Sequence, residues 1–345
     1  MAAIDLDVLV IGAGAIGGIT AAAMQGEVRR VTVLDADAAH VARLRDPGLE
    51  LDRLGEQRTV RLDARTAIDE LDGHYDYGLI ALKAPAIETA LTPLAAHGLV
   101  ETFVTLGNGL IHDRVASIVG GERLIVGTVE WGATNLGPGR LRQTTRNPFV
   151  IGEPDGAQRP RTARLAAALR PVAEVHVTDN IAGQLWSKLL VNSTLSGLGV
   201  VTGCTYAGVA ASPLGAEAIH RLWREGHELG VAQGLALEPV LGVRADELAG
   251  DDCRAFHRAL DTVMTAAGET KASMLQDVER RRTTEVDVIN GGVVTRAREL
   301  GRSAPYNARV VEIVHRFERG EAEPSPQLLA EVLGAGAPGA SGSRG

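Results

Sequence analysis

Residues 8–17, VLVIGAGAIG, decide the fold. Four apolar residues typical of a buried strand run directly into glycines, and a helical pattern comes next. In that context Gly12 permits a tight turn, Gly14 lets a pyrophosphate approach the backbone, and Gly17 lets helix and strand pack closely. The N–H groups at Ala15 and Ile16 would face the phosphates at the positive end of the helix. The stretch predicts a dinucleotide-binding βαβ unit, and the alternative is a glycine turn with no ligand.

Asp35 ends the second predicted strand, about twenty residues beyond the glycines. A carboxylate at that place can accept hydrogen bonds from both ribose hydroxyls of NAD, and its charge repels a 2′-phosphate. This favours NAD as the cofactor. Arg43 or Arg45, one or two turns later, could still reach a 2′-phosphate and leave NADP open. Alternatively, Asp35 only caps the next helix.

Hydrophobic periodicity divides the chain into two folded parts and a tail. Short β-branched runs alternate with helical stretches in the first half, which predicts an α/β, Rossmann-type, mostly parallel sheet over residues 1–179. Apolar residues at three- and four-residue intervals predict an all-α-helical domain over 180–330, and the Gly/Ala/Ser-rich residues 331–345 predict a disordered tail. A ligand cleft between two such domains is expected. The predicted strands span 8–11, 31–34, 77–82, 103–106, 124–126, a hairpin-like pair within 139–152, and 172–177; the predicted helices span 181–198, 213–233, 255–267 and 285–300.

Charge and composition argue against several function classes. The net charge of −8 opposes binding to nucleic acid or to anionic membranes, and aromatic residues, at 3%, are too few for base-stacking platforms. Cys204 and Cys253 lack metal-ligand spacing and are interpreted as ordinary thiols, and no signal-peptide pattern is visible. A cytoplasmic protein with neither a metal nor a membrane span is expected.

The helix predicted from residue 181 carries a polar stripe at Lys188, Asn192 and Ser196, which recur every four positions. Such a spacing places side chains on one helix face. Because Leu, Val and Trp surround the stripe, it is expected to line a cleft, where a lysine could protonate the alkoxide that forms during hydride addition to a carbonyl. A solvated lysine on an exposed face is the alternative.

The segment LWSKLLVN at 185–192 resembles the signature helix of the ketopantoate reductases, the 2-dehydropantoate 2-reductases. The resemblance runs from the Gly12 loop to about Arg319. It covers the segments ALKA at 81–84, GNG at 107–109, DNI at 179–181, SMLQD at 273–277 and TEVDVING at 284–291.

The resemblance implies a role for each matching residue. Lys188 would be the general acid and Glu285 its partner, also near the cofactor, while Asn192 and Ser273 would bind substrate. Lys83 and Asn108 would flank the nicotinamide, with Asn108 also contacting substrate. The simpler alternatives are a strand-end lysine at 83, a turn asparagine at 108, a helix cap at 273 and a surface charge at 285 on the helix 285–300.

Some positions depart from the family pattern, and they are positions at which the family selects its substrate. Ser196 and Thr270 stand where the family usually has asparagine, so both become candidate substrate-binding positions. Trp131 could reshape the pocket or pack in the core. The family is mostly NADPH-linked, with an arginine near Ala36, whereas the Asp35-Ala36 pair is similar to its NAD-dependent D-2-hydroxyacid dehydrogenase relatives of the D-mandelate type.

The expected function is therefore reduction of a 2-oxo acid, ketopantoate or a related one, to the D-2-hydroxy acid, with a small-molecule partner. The resemblance also indicates a homodimer. An opine-type or 6-phosphogluconate-type dehydrogenase, which also joins a Rossmann domain to a helical one, and a non-catalytic NAD(H) sensor are the alternatives.

Overall fold

A computed structural model describes residues 3–334, and the chain divides into two compact units, Met1–Ile181 and Ala182–Gly345. The predicted domain boundary at 179/180 lies two residues before this division. Of the predicted tail, Glu331 and Val332 belong to the last helix, because the Val332 side chain is fully buried, and residues 335–345 lie outside the described part.

Twelve strands form two sheets in the first unit. They are β1 (Ile4–Ile11), β2 (Val28–Leu34), β3 (Leu49–Arg53), β4 (Glu56–Val60), β5 (Asp63–Arg65), β6 (Tyr75–Ile80), β7 (Val100–Thr105), β8 (Leu124–Val129), β9 (Ala133–Gly137), β10 (Arg140–Gln143), β11 (Phe149–Gly152) and β12 (Val175–Val177). The helices of this unit are α1 (Ala15–Met24), α2 (Ala38–Arg45), α3 (Ile87–His97), α4 (His112–Val119) and α5 (Pro160–Leu169).

The larger sheet has the order β12-β11-β8-β7-β6-β1-β2-β5, and every neighbouring pair is parallel except β11 with β8. β1 lies in the middle, and its residues Val8 and Val10 are fully buried, as near-continuous apolar strands covered on both faces require. Trp131 is buried edge-on against Phe149, with ring centroids 5.7 Å apart, so the structure places it in the core of this unit. The predicted Rossmann-type, mostly parallel sheet is confirmed.

The second sheet, with the order β4-β3-β10-β9, was not predicted. The hairpin expected within residues 139–152 is wrong, because its two strands belong to different sheets. β10 pairs with β9 and β3, while β11 pairs with β8 and β12. Strand propensity located the strands, but their partners depend on contacts made far away in sequence.

The second unit is helical, as predicted. Its elements are α6 (Ile181–Val191, whose first residue closes the first unit), a π-helical segment (Asn192–Ser196), α7 (Gly197–Thr202), α8 (Tyr206–Ala210), α9 (Pro213–Ala232), α10 (Ala245–Ala249), α11 (Cys253–Ala267), α12 (Ser273–Glu279), α13 (Asn290–Glu299), α14 (Pro305–Glu318) and α15 (Leu329–Val332). Local signals explain the long helix α9, since Ser212 caps it by accepting from the Gly215 amide at 3.0 Å and Pro213 occupies its first position. Among the described residues, none of the helices has the length and apolarity needed to cross a bilayer.

Candidate active site

Four predicted cofactor residues meet at one edge of the larger sheet. Gly12 follows β1, Asp35 follows β2, Lys83 follows β6 and Asn108 follows β7, and these four strands are neighbours in the order β7-β6-β1-β2. Because the strands are parallel, their carboxyl ends lie on the same side. The chain passes from β1 to β2 and β5 on one side of β1 and then crosses to β6, β7 and β8 on the other side. Such a switch point is where ligands bind in open α/β sheets.

The three glycines of the loop lie in different steric surroundings. Gly12 has φ +92°, and a Cβ there would lie 2.9 Å from the Ala81 carbonyl oxygen. A Cβ on Gly17 would lie 1.9 Å from the Gly12 carbonyl oxygen, so helix α1 could not approach. Apart from its own chain neighbours, no described residue comes within 4 Å of a Cβ built on Gly14, which leaves space there for a ligand.

Within the described residues no side chain caps α1, which begins at Ala15 with Ile16 as its second residue. Its N-cap residue is Gly14, which has no side chain to accept from the first N–H groups. This arrangement fits the pyrophosphate of a dinucleotide, for which helix N-termini supply donors and positive potential.

Asp35 holds the loop and does not cap α2. Its Oδ2 accepts from the Ala13 amide at 2.6 Å and its Oδ1 accepts from the Asp37 amide at 2.8 Å. The cap of α2 is Asp37, which accepts from the His40 amide at 3.0 Å. The capping alternative for Asp35 is therefore wrong.

Lys83 and Asn108 differ in exposure. Lys83 is exposed, and its carbonyl accepts from the Ala86 amide at 3.0 Å in a 3-10 turn that opens α3. Asn108 is half-buried and precedes Gly109, whose φ of +72° turns the chain away from the sheet edge.

In the second unit, Lys188 is half-buried on α6 and directly follows two anchored residues. The Trp186 indole donates to the Gly226 carbonyl of α9 at 2.9 Å, and the Ser187 hydroxyl accepts from the Glu238 amide at 2.9 Å. A Cβ on Gly230 would lie 2.6 Å from the Trp186 indole nitrogen, so this close approach of α6 to α9 depends on glycine. The stretch of α6 just before Lys188 is therefore held by two contacts.

The expected single polar stripe is interrupted. Asn192 is half-buried at the start of the π-helical segment, whose i→i+5 hydrogen bonding adds a residue per turn and rotates the residues beyond it about the helix axis. Ser196 is buried, and its hydroxyl lies 2.6 Å from the Tyr206 hydroxyl. Burial raises the pKa of Tyr206 and outweighs the opposite effect of its hydrogen bond with Ser196, so both hydroxyls are neutral.

Thr270 joins the same cluster, because its carbonyl accepts from the Tyr206 amide at 3.2 Å. Ser273 is the exposed first residue of α12, a helix that packs on α7 and on the π-helical segment. Tyr206, which the sequence analysis did not single out, thus contacts both positions that depart from the family pattern. A tyrosine opening a short helix carries no local signal that could have identified it.

Glu285 is buried, with 8% of its surface exposed, in a turn before α13 and not on the predicted helix 285–300. That helix begins five residues later because Glu285–Ile289 close a turn, in which the Glu285 carbonyl accepts from the Val288 and Ile289 amides at 3.1 Å. Glu318 accepts from the Thr284 amide at 2.7 Å on one side of Glu285. The alternative interpretation of Glu285, a surface charge on a helix, is therefore wrong in both respects.

A buried polar network that the sequence analysis missed connects the helices around the π-helical segment. The Asn290 side-chain Nδ2 donates to the Ser193 carbonyl and to Asn307 Oδ1, both at 2.8 Å. The Asn307 side-chain Nδ2 donates to the Glu225 carboxylate at 2.9 Å. Glu225 also accepts from the Tyr306 amide at 3.1 Å, which satisfies the start of α14. The start of α13 and the start of α14 are thereby tied to the chain just after Asn192.

Comparison with known proteins agrees with both halves of the chain. Residues 8–156 match the family model described as "Ketopantoate reductase PanE/ApbA", and residues 180–318 match "Ketopantoate reductase PanE/ApbA C terminal". A 2-dehydropantoate 2-reductase of Mesorhizobium japonicum is 29% identical over 341 residues, covering 91% of this chain and 99% of the relative.

Two solved structures share the fold. D-mandelate dehydrogenase, in a ternary structure with NADH and anilino(oxo)acetate, has a TM-score of 0.78 at 22% identity and covers 91% of this chain and 99% of its own. A PanE/ApbA family ketopantoate reductase from Ralstonia eutropha has a TM-score of 0.77 at 23% identity, with 92% and 99% covered. Since the two family models together span both units, the resemblance drawn from the motifs is confirmed, and the chain belongs to the ketopantoate reductase family.

Proposed function

We propose that this protein reduces a 2-oxo acid to the D-2-hydroxy acid with NADH, and that Lys188 is the general acid. The observation that carries the proposal is the sheet edge of the first unit, where an open glycine loop, Asp35, Lys83 and Asn108 follow four adjacent parallel strands. The same chain carries the anchored, half-buried Lys188 in its second unit. Two relatives that match 91% and 90% of this chain are named 2-dehydropantoate 2-reductases, which supports a 2-oxo acid as the substrate.

The residues of the first unit would hold the cofactor. Gly12, Gly14 and Gly17 leave the backbone open to the pyrophosphate, and the Ala15 and Ile16 amides supply donors to it. Asp35 would accept from the ribose hydroxyls. When bound, the reduced nicotinamide supplies the hydride.

Asp35 and the contacts of Arg45 favour NADH over NADPH. The Asp35 carboxylate would repel a 2′-phosphate. Arg45 already donates to the Ala64 carbonyl at 2.7 Å and to Glu70 at 2.9 Å, so it is engaged away from that place. The fold neighbour with NADH bound, D-mandelate dehydrogenase, supports the same choice.

In the second unit Lys188 would donate the proton that neutralises the developing alkoxide. An ordinary lysine is charged at neutral pH and can act as this acid. Glu285, held by the turn before α13, would orient the ammonium, and Asn192 and Ser273 would bind the substrate carboxylate or carbonyl. Ser196 and Thr270, which both contact Tyr206, would shape the space for the substrate side chain. A cytoplasmic location and a homodimer remain predictions.

The proposal is tested by oxidation of NADH and NADPH with ketopantoate, phenylglyoxylate and branched-chain 2-oxo acids in parallel, with Lys188→Ala as the control. We expect NADH-linked turnover of at least one 2-oxo acid and a D-configured product by chiral chromatography. Turnover of ketopantoate with NADPH alone would support the proposed reductase activity but overturn the role given to Asp35 in the choice of cofactor. The absence of turnover with every pair would overturn the proposed function.

A further inference from the structure

His40 is a buried histidine of α2 that the proposed function does not use. Only 4% of its surface is exposed, and both ring nitrogens have hydrogen-bond partners within the protein. Nε2 lies 2.8 Å from the Ala13 carbonyl oxygen, and Nδ1 lies 2.9 Å from the Gly139 amide nitrogen. Because the Gly139 N–H can only donate, Nδ1 must accept, and Nε2 then carries the hydrogen and donates to Ala13. The partners thus select one neutral tautomer.

The first partner, Ala13, is the residue between the two leading glycines of the cofactor loop. Its amide donates to Asp35 at 2.6 Å, and its carbonyl accepts from His40. This peptide segment is therefore fixed on both sides by residues that lie beyond β2. The next residue is Gly14, where the backbone is open to the pyrophosphate, so a shift at Ala13 moves the phosphate donors themselves.

The second partner, Gly139, is fixed by the small sheet. It is buried in the turn between β9 and β10 at φ +72°, and its carbonyl accepts from the Glu50 amide of β3 at 2.8 Å. A Cβ on Gly139 would lie 2.6 Å from Cβ of Arg43 on α2, so only glycine lets this turn come so close to the helix. His40 therefore connects the loop to a sheet that contributes nothing else to the proposed chemistry.

We propose that His40 is a positioning residue for cofactor binding, and that it holds the Ala13 carbonyl through Nε2 while the four-stranded sheet holds the imidazole through Nδ1. The proposal rests on the proposed function, because it concerns the same dinucleotide site. It assigns a role in the site to the small sheet, which otherwise only packs beside α1 and α2. The bond to Ala13 should set NADH affinity, and the bond to Gly139 should matter mainly for stability.

Two isosteric substitutions separate the two bonds. In His40→Asn the side-chain oxygen can take the place of Nδ1 and accept from Gly139, but nothing reaches Ala13. In His40→Gln the side-chain amide can take the place of Nε2 and donate to Ala13, but the bond to Gly139 is lost. Each variant removes one hydrogen bond from the same buried position, so each is the other's control for stability.

The measurement is NADH binding by its fluorescence enhancement on the full-length protein, with thermal unfolding alongside. We expect the dissociation constant of His40→Asn to rise about tenfold, the worth of one hydrogen bond, and that of His40→Gln to stay within about twofold of the wild type, while both unfold at a similarly lowered temperature. The KM for NADH should change in the same order, with the KM for the 2-oxo acid unchanged.

Equal NADH affinity in the two variants, or wild-type affinity in His40→Asn, would overturn the inference and leave the proposed function intact. A wild-type protein that binds neither NADH nor NADPH would instead remove the proposed function, and the role of His40 with it.

Discussion

The two units position their proposed functional groups in different ways. In the first unit, the groups that would face the cofactor are backbone amides at the start of α1 and side chains that follow parallel strands, and glycines at 12, 14 and 17 make room for the loop. In the second unit they are side chains on helices and, for Glu285, in the turn before α13, and buried polar contacts such as Asn290 with Ser193 hold these elements together.

The difference has a physical origin. A parallel sheet brings the ends of its strands to one edge whatever the side chains are, so a short local motif suffices to build the loop. A helix fixes only which residues share a face, and even that fails where a π-helical turn intervenes, as it does at Asn192–Ser196. The helical half therefore needs long-range hydrogen bonds to aim its functional groups.

The largest expected effect tests whether the second unit supplies the acid. Lys188→Ala should lower kcat about 10³-fold, the usual worth of a general acid, and leave NADH affinity within about twofold, because the cofactor groups lie in the first unit. Lys188→Arg keeps the charge but cannot readily release a proton, so it should be nearly as impaired. Steady-state kinetics and NADH titration check both. Near-normal turnover in either variant would remove Lys188 from the mechanism.

The next effect tests the reliance of the helical half on buried polar contacts. Asn290→Ala should lower the free energy of unfolding by roughly 2–4 kcal/mol, because two buried hydrogen bonds of 2.8 Å are lost and their acceptors stay buried. The matched control is Asn147→Ala in the first unit, an exposed asparagine with one bond to the Glu130 carbonyl, which should cost about 0.5 kcal/mol. Urea denaturation measures both. A similar loss in the two variants would show that the network does not stabilise the helical half.

A pH effect tests whether the first unit also depends on a buried charge. Burial disfavours the charged form of Glu153, but hydrogen bonds from Arg161 and Thr162 outweigh it, so the pKa of Glu153 lies below its ordinary value of 4.5. Its contribution to stability is therefore complete above pH 4.5 and is lost as the pH falls through the folded-state pKa.

Glu153→Gln should accordingly be about 2 kcal/mol less stable than the wild type at pH 7, and the gap should close on acidification below pH 4.5. Chemical denaturation at several pH values gives the gap. Asp155→Asn, in the same loop but with a half-exposed side chain, is the control and should show a smaller gap at pH 7. A gap for Glu153→Gln that does not change with pH would contradict the assignment.

The smallest effect concerns the choice of substrate. Tyr206→Phe removes the 2.6 Å bond between the Tyr206 and Ser196 hydroxyls and should cost about 1 kcal/mol of stability. It should change the ratio of kcat/KM values between ketopantoate and phenylglyoxylate, while the KM for NADH stays constant. An unchanged ratio would separate this cluster from substrate recognition.

Several features could be predicted from the sequence alone because their causes are local. The glycine loop, the strand before it and the acidic residue after β2 lie within 28 residues of one another and obey rules of turn geometry and strand-end placement. The apolar periodicity of residues 213–233 predicted α9 almost to its ends. The motifs also identified the family, since each is a short run with fixed spacing.

Other features could not be read from the chain because their causes are distant in sequence. The predicted pairing of β10 with β11 was wrong, because strand pairing depends on which strand edges are available in the folded chain. Glu285 lies in a turn, although its neighbourhood has a helical pattern, because Glu318 of α14 holds the Thr284 amide beside it.

The sequence by itself determined that the chain has a dinucleotide loop, a lysine helix and two folded units, because glycine sterics and hydrophobic period act over a few residues. Only the tertiary structure decided that His40 joins the Ala13 carbonyl to the Gly139 amide, that Ser196 and Thr270 contact Tyr206, and that Asn290 holds the π-helical segment. These contacts join residues 10 to 99 positions apart. A buried polar group must find its partner wherever the packed chain places one, and no local pattern encodes that position.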